Sequence, residues 1–400
     1  MKVLVICQYY YPEPFRISDI CEELVKRGHE VTVITGIPNY PMGEIYDGYR
    51  HGKKRDETIN GVRVHRCVTI GRKTGAFHRL LNYCSYAISS SAYVSKLEGK
   101  FDVVFVNQLS PVMMAAAGIN YKKRFNKKLV LYCMDLWPES LVAGGIRRDS
   151  IVYKLFHKIS EIIYKQADEI LITSHMFENY FKDQFGITDN ITYLPQYAES
   201  IFNPEICRKK PNNSIDLLFA GNIGAAQSVE TIIKAANELK DNQSLKWHIV
   251  GEGSDLEKCR KLADELDVKS VVFYGRKPIE DMPKYYAMAD AMLVTMVDDS
   301  ILSMTLPGKV QTYMAAGKPI IGAINGEANL LINEAGCGYC CEAENYLRLA
   351  EQINKFVSKR CYADLGVLAE EYYNDNFTKN VVIDKLLFVL ESTCKERRTL

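Results

Sequence analysis

The chain has 400 residues, 47% of them hydrophobic and 25% charged, and a formal net charge of +1. That length exceeds one ordinary core and predicts two domains, and the composition is that of a soluble globular enzyme. The charge balance excludes a dedicated nucleic-acid binder. Through Glu205 there are 26 Lys+Arg against 22 Asp+Glu, and beyond it 24 against 27. The first part is thus the more basic, the sign expected of a surface that meets anions.

In chain order, a short apolar run at Val3–Cys7 predicts a strand, and Ile17–Arg27 has helical spacing closed by Gly28-His29. Glu30–Thr35 alternates like a strand. Further strands are expected at Val62–Val68, Val103–Val106, Leu129–Met134, Ile170–Thr173 and Ile191–Leu194. Helical patterns fill 78–98, 111–124, 150–166 and 175–185. Asn203–Asn213 is polar, Pro-bearing and aperiodic, which predicts a linker. The alternation then restarts at Asp216–Ala220, Trp247–Val250, Val271–Tyr274, Ala291–Thr295, Pro319–Ala323 and Gly338–Cys341, and 344–394 reads as helix. Strands alternating with helices predict parallel sheets covered on both faces. The expected architecture is α/β: two doubly wound Rossmann-like domains facing each other across a cleft. Residues 1–203 form the first, 204–214 the linker and 215–380 the second; a last helix over 381–400 is drawn as packing back on the first domain.

Met1–Cys7 is one strand long, so no leader is expected, and no run approaches the roughly 20 apolar residues a bilayer demands. The twelve cysteines are then expected as reduced thiols in a cytoplasmic protein. Cys337-Gly-Tyr-Cys340-Cys341 lacks a second pair at zinc spacing and reads as packing; no metal site is expected. After the first strand, Gln8–Arg16 has no glycine, which argues against a nicotinamide-binding G-x-G-x-x-G turn.

The second domain carries the phosphate chemistry. Its first strand ends in Gly221-Asn222-Ile-Gly224-Ala-Ala-Gln227, the next in Gly251-Glu252-Gly253, the third in Gly275-Arg276-Lys277. Glycine-bearing strand ends let backbone N–H groups approach phosphate, and Arg276 and Lys277 add charge. In Leu306–Ile321, Pro307 and Gly308 open a short helix whose unpaired N–H groups and dipole favour an anion, with Lys309 in its first turn. In the first domain, Asp135-Leu-Trp137-Pro-Glu139 follows an apolar strand, and an indole beside two carboxylates suits sugar. The plainer alternative is that Trp137 packs and Asp135 caps a helix. Glu13 and Arg16 divide in the same way between ligand contact and loop structure.

Taken together these segments resemble the family 4 retaining glycosyltransferases. Gly28-His29-Glu30-Val31-Thr32-Val33, Ala167-Asp168 with Ser174, Ala289-Asp290 and the Lys309–Ile321 run stand in that family's order. Gln8–Arg16, Gly36–Tyr40 and Asp135–Ser140 look like the L-N-acetylfucosaminyl transferase branch of O-antigen and capsule clusters. The resemblance implies the GT-B fold and a UDP-sugar (with GDP-sugar as the alternative) in the second domain. It also implies retention of configuration, no cofactor and no metal. Lys309 and Arg276 would stabilise the leaving diphosphate, and Asp135 would orient the acceptor. Gly221, Asn222, Gly224, Gln227, Gly251, Glu252, Gly253, Lys277, Pro307, Gly308, Gln311 and Thr312 would hold the donor. Glu13, Arg16, Trp137 and Glu139 would hold a lipid-linked glycan. The family's paired glutamates are replaced by Met304 and Thr312, which keeps open a catalytically silent partner subunit; a UDP-sugar epimerase is the other alternative.

Two basic, aromatic segments point to an anionic membrane surface on the cytoplasmic side. Tyr121–Lys128 has five cations in eight residues, and Gly71–Arg79 precedes a helix with Leu80, Leu81, Tyr83, Tyr86 and Tyr93. The alternative for the former is charge that complements a helix C-terminus.

Overall fold

The computed structural model describes residues 1–73, 75–143 and 145–395. Thr74 of the expected membrane segment and 396–400 of the expected last helix lie outside them. The described chain divides into two compact units: Met1–Thr173, Phe177–Leu194 and the chain from Ile383, and then Ser174–Met176 with Pro195–Val382.

The first unit holds an eight-stranded sheet. Its strands are β1 (Lys2–Ile6), β2 (Glu30–Gly36), β3 (Asp56–Ile59), β4 (Val62–Cys67), β5 (Val103–Gln108), β6 (Lys128–Cys133), β7 (Glu169–Ile172) and β8 (Ile191–Tyr193). They lie in the order β3-β4-β2-β1-β5-β6-β7-β8. All neighbours are parallel except the β3–β4 hairpin. β5 is buried at every position, as a strand covered by helices on both faces must be.

The second unit holds β9 (Ile215–Ala220), β10 (Leu245–Val250), β11 (Val271–Gly275), β12 (Ala291–Thr295), β13 (Ile320–Ala323) and β14 (Gly338–Cys341). Their order is β11-β10-β9-β12-β13-β14, parallel throughout. Chain order reverses direction between β9 and β12, the switch point at which such sheets bind ligands beyond their carboxyl ends. Trp247, Phe219 and Ile249 centre its core.

Three readings change. Strand β3 was not expected, because its sequence, Asp-Glu-Thr-Ile, is polar; Asn60-Gly61, with φ of 47° and 85°, is nevertheless a two-residue hairpin signal. The stretch 344–394 is three helices, Tyr346–Lys359, Tyr362–Asn376 and Lys379–Lys395, the first ending at Arg360 in a left-handed conformation. The second unit begins at Pro195, before the segment expected to link the domains. That segment is polar but not free. Lys209 Nζ donates to Asp216 (2.6 Å) and pairs with Asp290, while the Phe202 ring lies 4.9 Å from Tyr286. Burial alone would raise the Asp216 carboxyl, yet hydrogen bonds from His248, Lys209, Asn212 and Ser214 hold it well below the usual carboxylate range. The cysteines of 337–341 are free, and burial pushes the Cys337 thiol up to about 12.

Candidate functional site: a cationic cavity at three strand ends

Beyond the carboxyl ends of β9, β10 and β11 the backbone itself forms a cradle. Gly221 N–H donates to Val250 O (3.0 Å), Gly251 N–H to Gly275 O (3.0 Å), and Ile223 N–H to Glu252 O (2.8 Å). Such close backbone contact tolerates no side chain. At Gly251, where φ is +150°, a Cβ would lie 2.9 Å from the Gly221 carbonyl carbon and closer still to its oxygen. At Gly253 a Cβ would lie 2.8 Å from the Ile223 nitrogen and nearer to its carbonyl. Glycine is therefore required here by sterics.

The helix Gly308–Ala315 begins beside this cradle, with Pro307 extended and no side chain capping its first turn. Tyr313 anchors it: its hydroxyl donates to Ala220 O (3.1 Å) and accepts Ala220 N–H (3.2 Å). Lys309 consequently lies along the end of β9. Its stem keeps some surface, but Nζ is fully enclosed and has no hydrogen-bond partner among the described residues. Nζ lies 3.9 Å above the Phe219 ring, and a Cβ on Gly221 would approach it to 2.7 Å. Burial pulls the Lys309 ammonium down from 10.5 to about 7.

One cavity of about 630 Å³ gathers these parts. Of the expected donor residues, Gly221, Asn222, Gly251, Glu252, Gly253, Arg276, Lys277, Lys309 and Thr312 line it. Glu199, Phe202, Ile279, Met282 and Tyr286 line it as well, and the sequence reading missed them. Phe202 and Glu199 were assigned to the other domain, and Tyr286 reads as an ordinary core aromatic. An enclosed cation without a counter-charge is costly, and an incoming anion relieves that cost. Three cations, N–H groups and two carboxylates suit a ligand with both phosphates and hydroxyls.

Five expected donor residues do other work or stand aside. Gln227 Oε1 accepts from Asn222 Nδ2 (2.9 Å) and Gly224 N–H (3.3 Å), so this side chain shapes the loop and is not turned into the cavity. Gln311 is buried, does not line the cavity, and its Nε2 donates to Gln196 O (2.8 Å). Gly224, Pro307 and Gly308 frame the cavity without lining it. Thr312 does line it, although its hydroxyl donates back to Gly308 O (3.0 Å).

The residues expected to meet an acceptor are mostly committed within the first unit. Trp137 is 2% exposed, and its Nε1 donates to Ser110 Oγ (2.8 Å). Glu139 is 3% exposed and accepts from Arg148 (2.9 and 3.1 Å) and from the Tyr153 hydroxyl. Asp135 Oδ2 accepts both the N–H and hydroxyl of Ser110 at 3.0 Å, yet of these three Asp135 alone keeps some surface. Arg16 sits at the start of the helix Ile17–Lys26.

Glu13 is 2% exposed, and its carboxylate accepts the N–H groups of Asn39 (2.8 Å), Tyr40 (2.7 Å) and Tyr10 (3.3 Å). It ties the loop after β1 to the loop after β2, against a burial that raises its carboxyl to about 7. Glu13→Ala strands three backbone donors, two of them in buried bonds, and is expected to destabilise the protein by about 3 kcal/mol in urea unfolding. A loss under ~0.5 kcal/mol would contradict this structural role.

Parts of the segments expected to meet a membrane are used internally, while Lys123, Arg124 and Leu80 stay exposed. Lys122 and Lys128 pair with Asp168 at 2.6 and 3.3 Å, and Tyr121 is fully buried with Phe125 packed 4.8 Å away. Tyr86 is fully buried and donates to Cys7 O and Ile34 O, both at 2.9 Å. Tyr93 stacks on His65 at 3.4 Å. Among the described residues no helix is long and apolar enough to cross a membrane.

Similarity to known proteins falls along the same two units. Residues 15–196 match the glycosyl transferase 4-like domain, and 206–372 match the glycosyl transferases group 1 domain, so the two models take in most of the chain. A probable glycosyltransferase of Pseudomonas aeruginosa, WbjE, is 26% identical over 64% of this chain and 66% of its own length. The putative colanic acid biosynthesis glycosyl transferase WcaI of Escherichia coli is 25% identical over 89% and 92%. The fold matches sucrose-phosphate synthase from Thermosynechococcus elongatus with a TM-score of 0.72, at 15% identity and 98% coverage of both chains. It also matches Anabaena HepE, solved in complex with UDP, at 0.73, 13% identity, and 98% and 100% coverage. This chain belongs to the glycosyltransferases, with a 4-like domain followed by a group 1 domain on the GT-B fold.

Proposed function

We propose that the protein transfers a sugar from a nucleoside diphosphate donor, held in the second unit, to a lipid-linked glycan in surface polysaccharide synthesis. The observation that carries the donor assignment is the enclosed, unpartnered Lys309 ammonium at the glycine strand ends, beside Arg276 and Lys277. HepE, which resembles this chain in fold, is described with UDP and with UDP-glucose, and WcaI is described in colanic acid synthesis; both support the reading. A UDP-sugar is favoured, with an N-acetylated deoxyhexosamine such as L-N-acetylfucosamine as the sugar class.

In this scheme the acceptor hydroxyl attacks the anomeric carbon on the face from which the diphosphate leaves, and configuration is retained. The acceptor oxygen–carbon bond forms as the carbon–phosphate oxygen bond breaks. The hydroxyl proton passes to the departing phosphate, so no protein nucleophile, cofactor or metal is invoked. The protein supplies fixed positive charge where negative charge builds: Lys309, Arg276, and the N-terminus of the helix Gly308–Ala315. Asp135 is assigned to the acceptor because it stands just beyond a strand end and, unlike Trp137 and Glu139, the residue retains some surface.

The test is nucleotide release from a panel of UDP- and GDP-sugars with a membrane extract as acceptor source. Acceptor-dependent UDP release supports transfer; sugar interconversion without acceptor indicates an epimerase, and no turnover with no nucleotide bound indicates a silent subunit. Asp135→Asn is expected to lower transfer about 100-fold while leaving UDP affinity within twofold. Equal loss of both would remove Asp135 from the acceptor side.

A further inference from the structure

The helix Ile151–Tyr164 is two-sided in an unusual sense: its outward side is apolar as well. Its inner side packs normally, with Tyr153, Ser160, Ile163 and Tyr164 buried and Phe156 set 5.5 Å from Trp137. The outer side exposes Ile151 (85%), Val152 (46%), Leu155 (57%) and Ile162 (53%). Positions 151, 155, 158, 162 and 165 follow the i, i+4, i+7, i+11, i+14 spacing of a single stripe, so Lys158 and Lys165 continue the line of Ile151, Leu155 and Ile162. Lys154 stands beside them, exposed.

The charges around the stripe decide what it meets. Arg147 through Lys165 contains five Arg or Lys and two acids, and of the five Arg148 is paired with Glu139 at 2.9 Å. Both acids are already matched: Asp149 by Arg147 at 2.6 Å, and Glu161 by Lys158 and Lys165 at 2.8 and 2.7 Å. A second copy of the same face would bring cation against cation, since a two-fold contact joins identical patches. An anionic lipid surface accepts both features: aliphatic side chains enter the acyl boundary while lysines reach the headgroups.

We propose that this outer face of the helix Ile151–Tyr164 docks on a bilayer leaflet rich in anionic lipid. The docking stands on this face alone and goes beyond the donor cavity, so either assignment can fail without the other.

The test is sedimentation with vesicles of equal parts phosphatidylglycerol and phosphatidylethanolamine, against vesicles of phosphatidylcholine alone. The wild-type chain is expected to partition onto the anionic vesicles and to remain in solution with phosphatidylcholine. Ile151→Glu combined with Leu155→Glu should reduce anionic partitioning about tenfold or more, and Lys154→Gln with Lys158→Gln should reduce it severalfold. The thermal unfolding midpoint and circular dichroism of both variants, measured alongside, report that the fold is intact. Wild type left in the supernatant, or both variants sedimenting like wild type, would overturn the proposal. So would a wild-type dimer in analytical ultracentrifugation that Ile151→Glu dissociates, since the face would then belong to a second copy.

Discussion

Lys309→Met is expected to abolish measurable UDP binding and, in the same protein, to raise the stability of the free enzyme. The two effects share one cause. With Nζ enclosed and unpartnered, the ammonium is held at about 7 against an ordinary 10.5. Such a depression corresponds to roughly 5 kcal/mol of unfavourable burial in the charged form. Because the side chain's stem retains surface, about 2 kcal/mol of that is the expected gain on replacement by Met. The sign follows from proton binding. Between pH 7 and 10.5 the unfolded chain holds the Lys309 proton that the folded chain has released, so wild-type stability rises with pH across that window. The variant lacks this rise, so its advantage is largest at pH 6 and nearly gone by pH 10. Urea unfolding at three pH values reads it directly. A variant that binds UDP normally, or is destabilised at pH 6, would contradict the assignment.

Gly251→Ala is expected to remove UDP binding more completely than any single polar substitution in the cavity except Lys309. An added methyl collides with the Gly221 carbonyl, which is backbone in a residue whose N–H is tied to Val250 O, and the φ of +150° is strained for any L side chain. The strand-end loops must separate, at a cost of several kcal/mol, and the phosphate cradle opens with them. Gly308→Ala is the control. It stands at the first turn of the neighbouring helix with nothing within 4 Å of its would-be Cβ, and should leave UDP affinity within about threefold. Equal behaviour of the two variants in binding and in thermal unfolding would remove the steric argument.

The alternation of strands and helices was legible because buried parallel strands are continuous apolar runs, as in Val103–Gln108. The glycine ends of β9, β10 and β11 were legible for a related reason: backbone crowding leaves no alternative residue, so the constraint is written in the sequence. The internal bonds of Gln311, Glu139 and Glu13 were not legible, because a polar side chain looks the same whether it awaits a ligand or satisfies the backbone. Gln311 closes on Gln196 O, and Glu13 on three N–H groups. Glu199 and Phe202 were missed because the segment before the linker was assigned by polarity. The contacts of Phe202 with Tyr286 and of Lys209 with Asp216 place that segment in the second unit. The outward stripe of the helix Ile151–Tyr164 was hidden inside an ordinary helical pattern, since periodicity finds a helix but does not say which face is covered.

Lys309 also sets a pH dependence for binding. A diphosphate selects the protonated amine, so UDP affinity should fall about tenfold between pH 8 and 9, where the phosphates have finished ionising. Calorimetric titration of wild type and Lys309→Ala with UDP and with GDP, repeated at those two pH values, tests the donor site most directly. Micromolar UDP binding that takes up a proton, weakens at the higher pH and disappears in Lys309→Ala is the predicted result. Failure of either nucleotide to bind the wild-type chain, or binding indifferent to both pH and Lys309, would contradict the account.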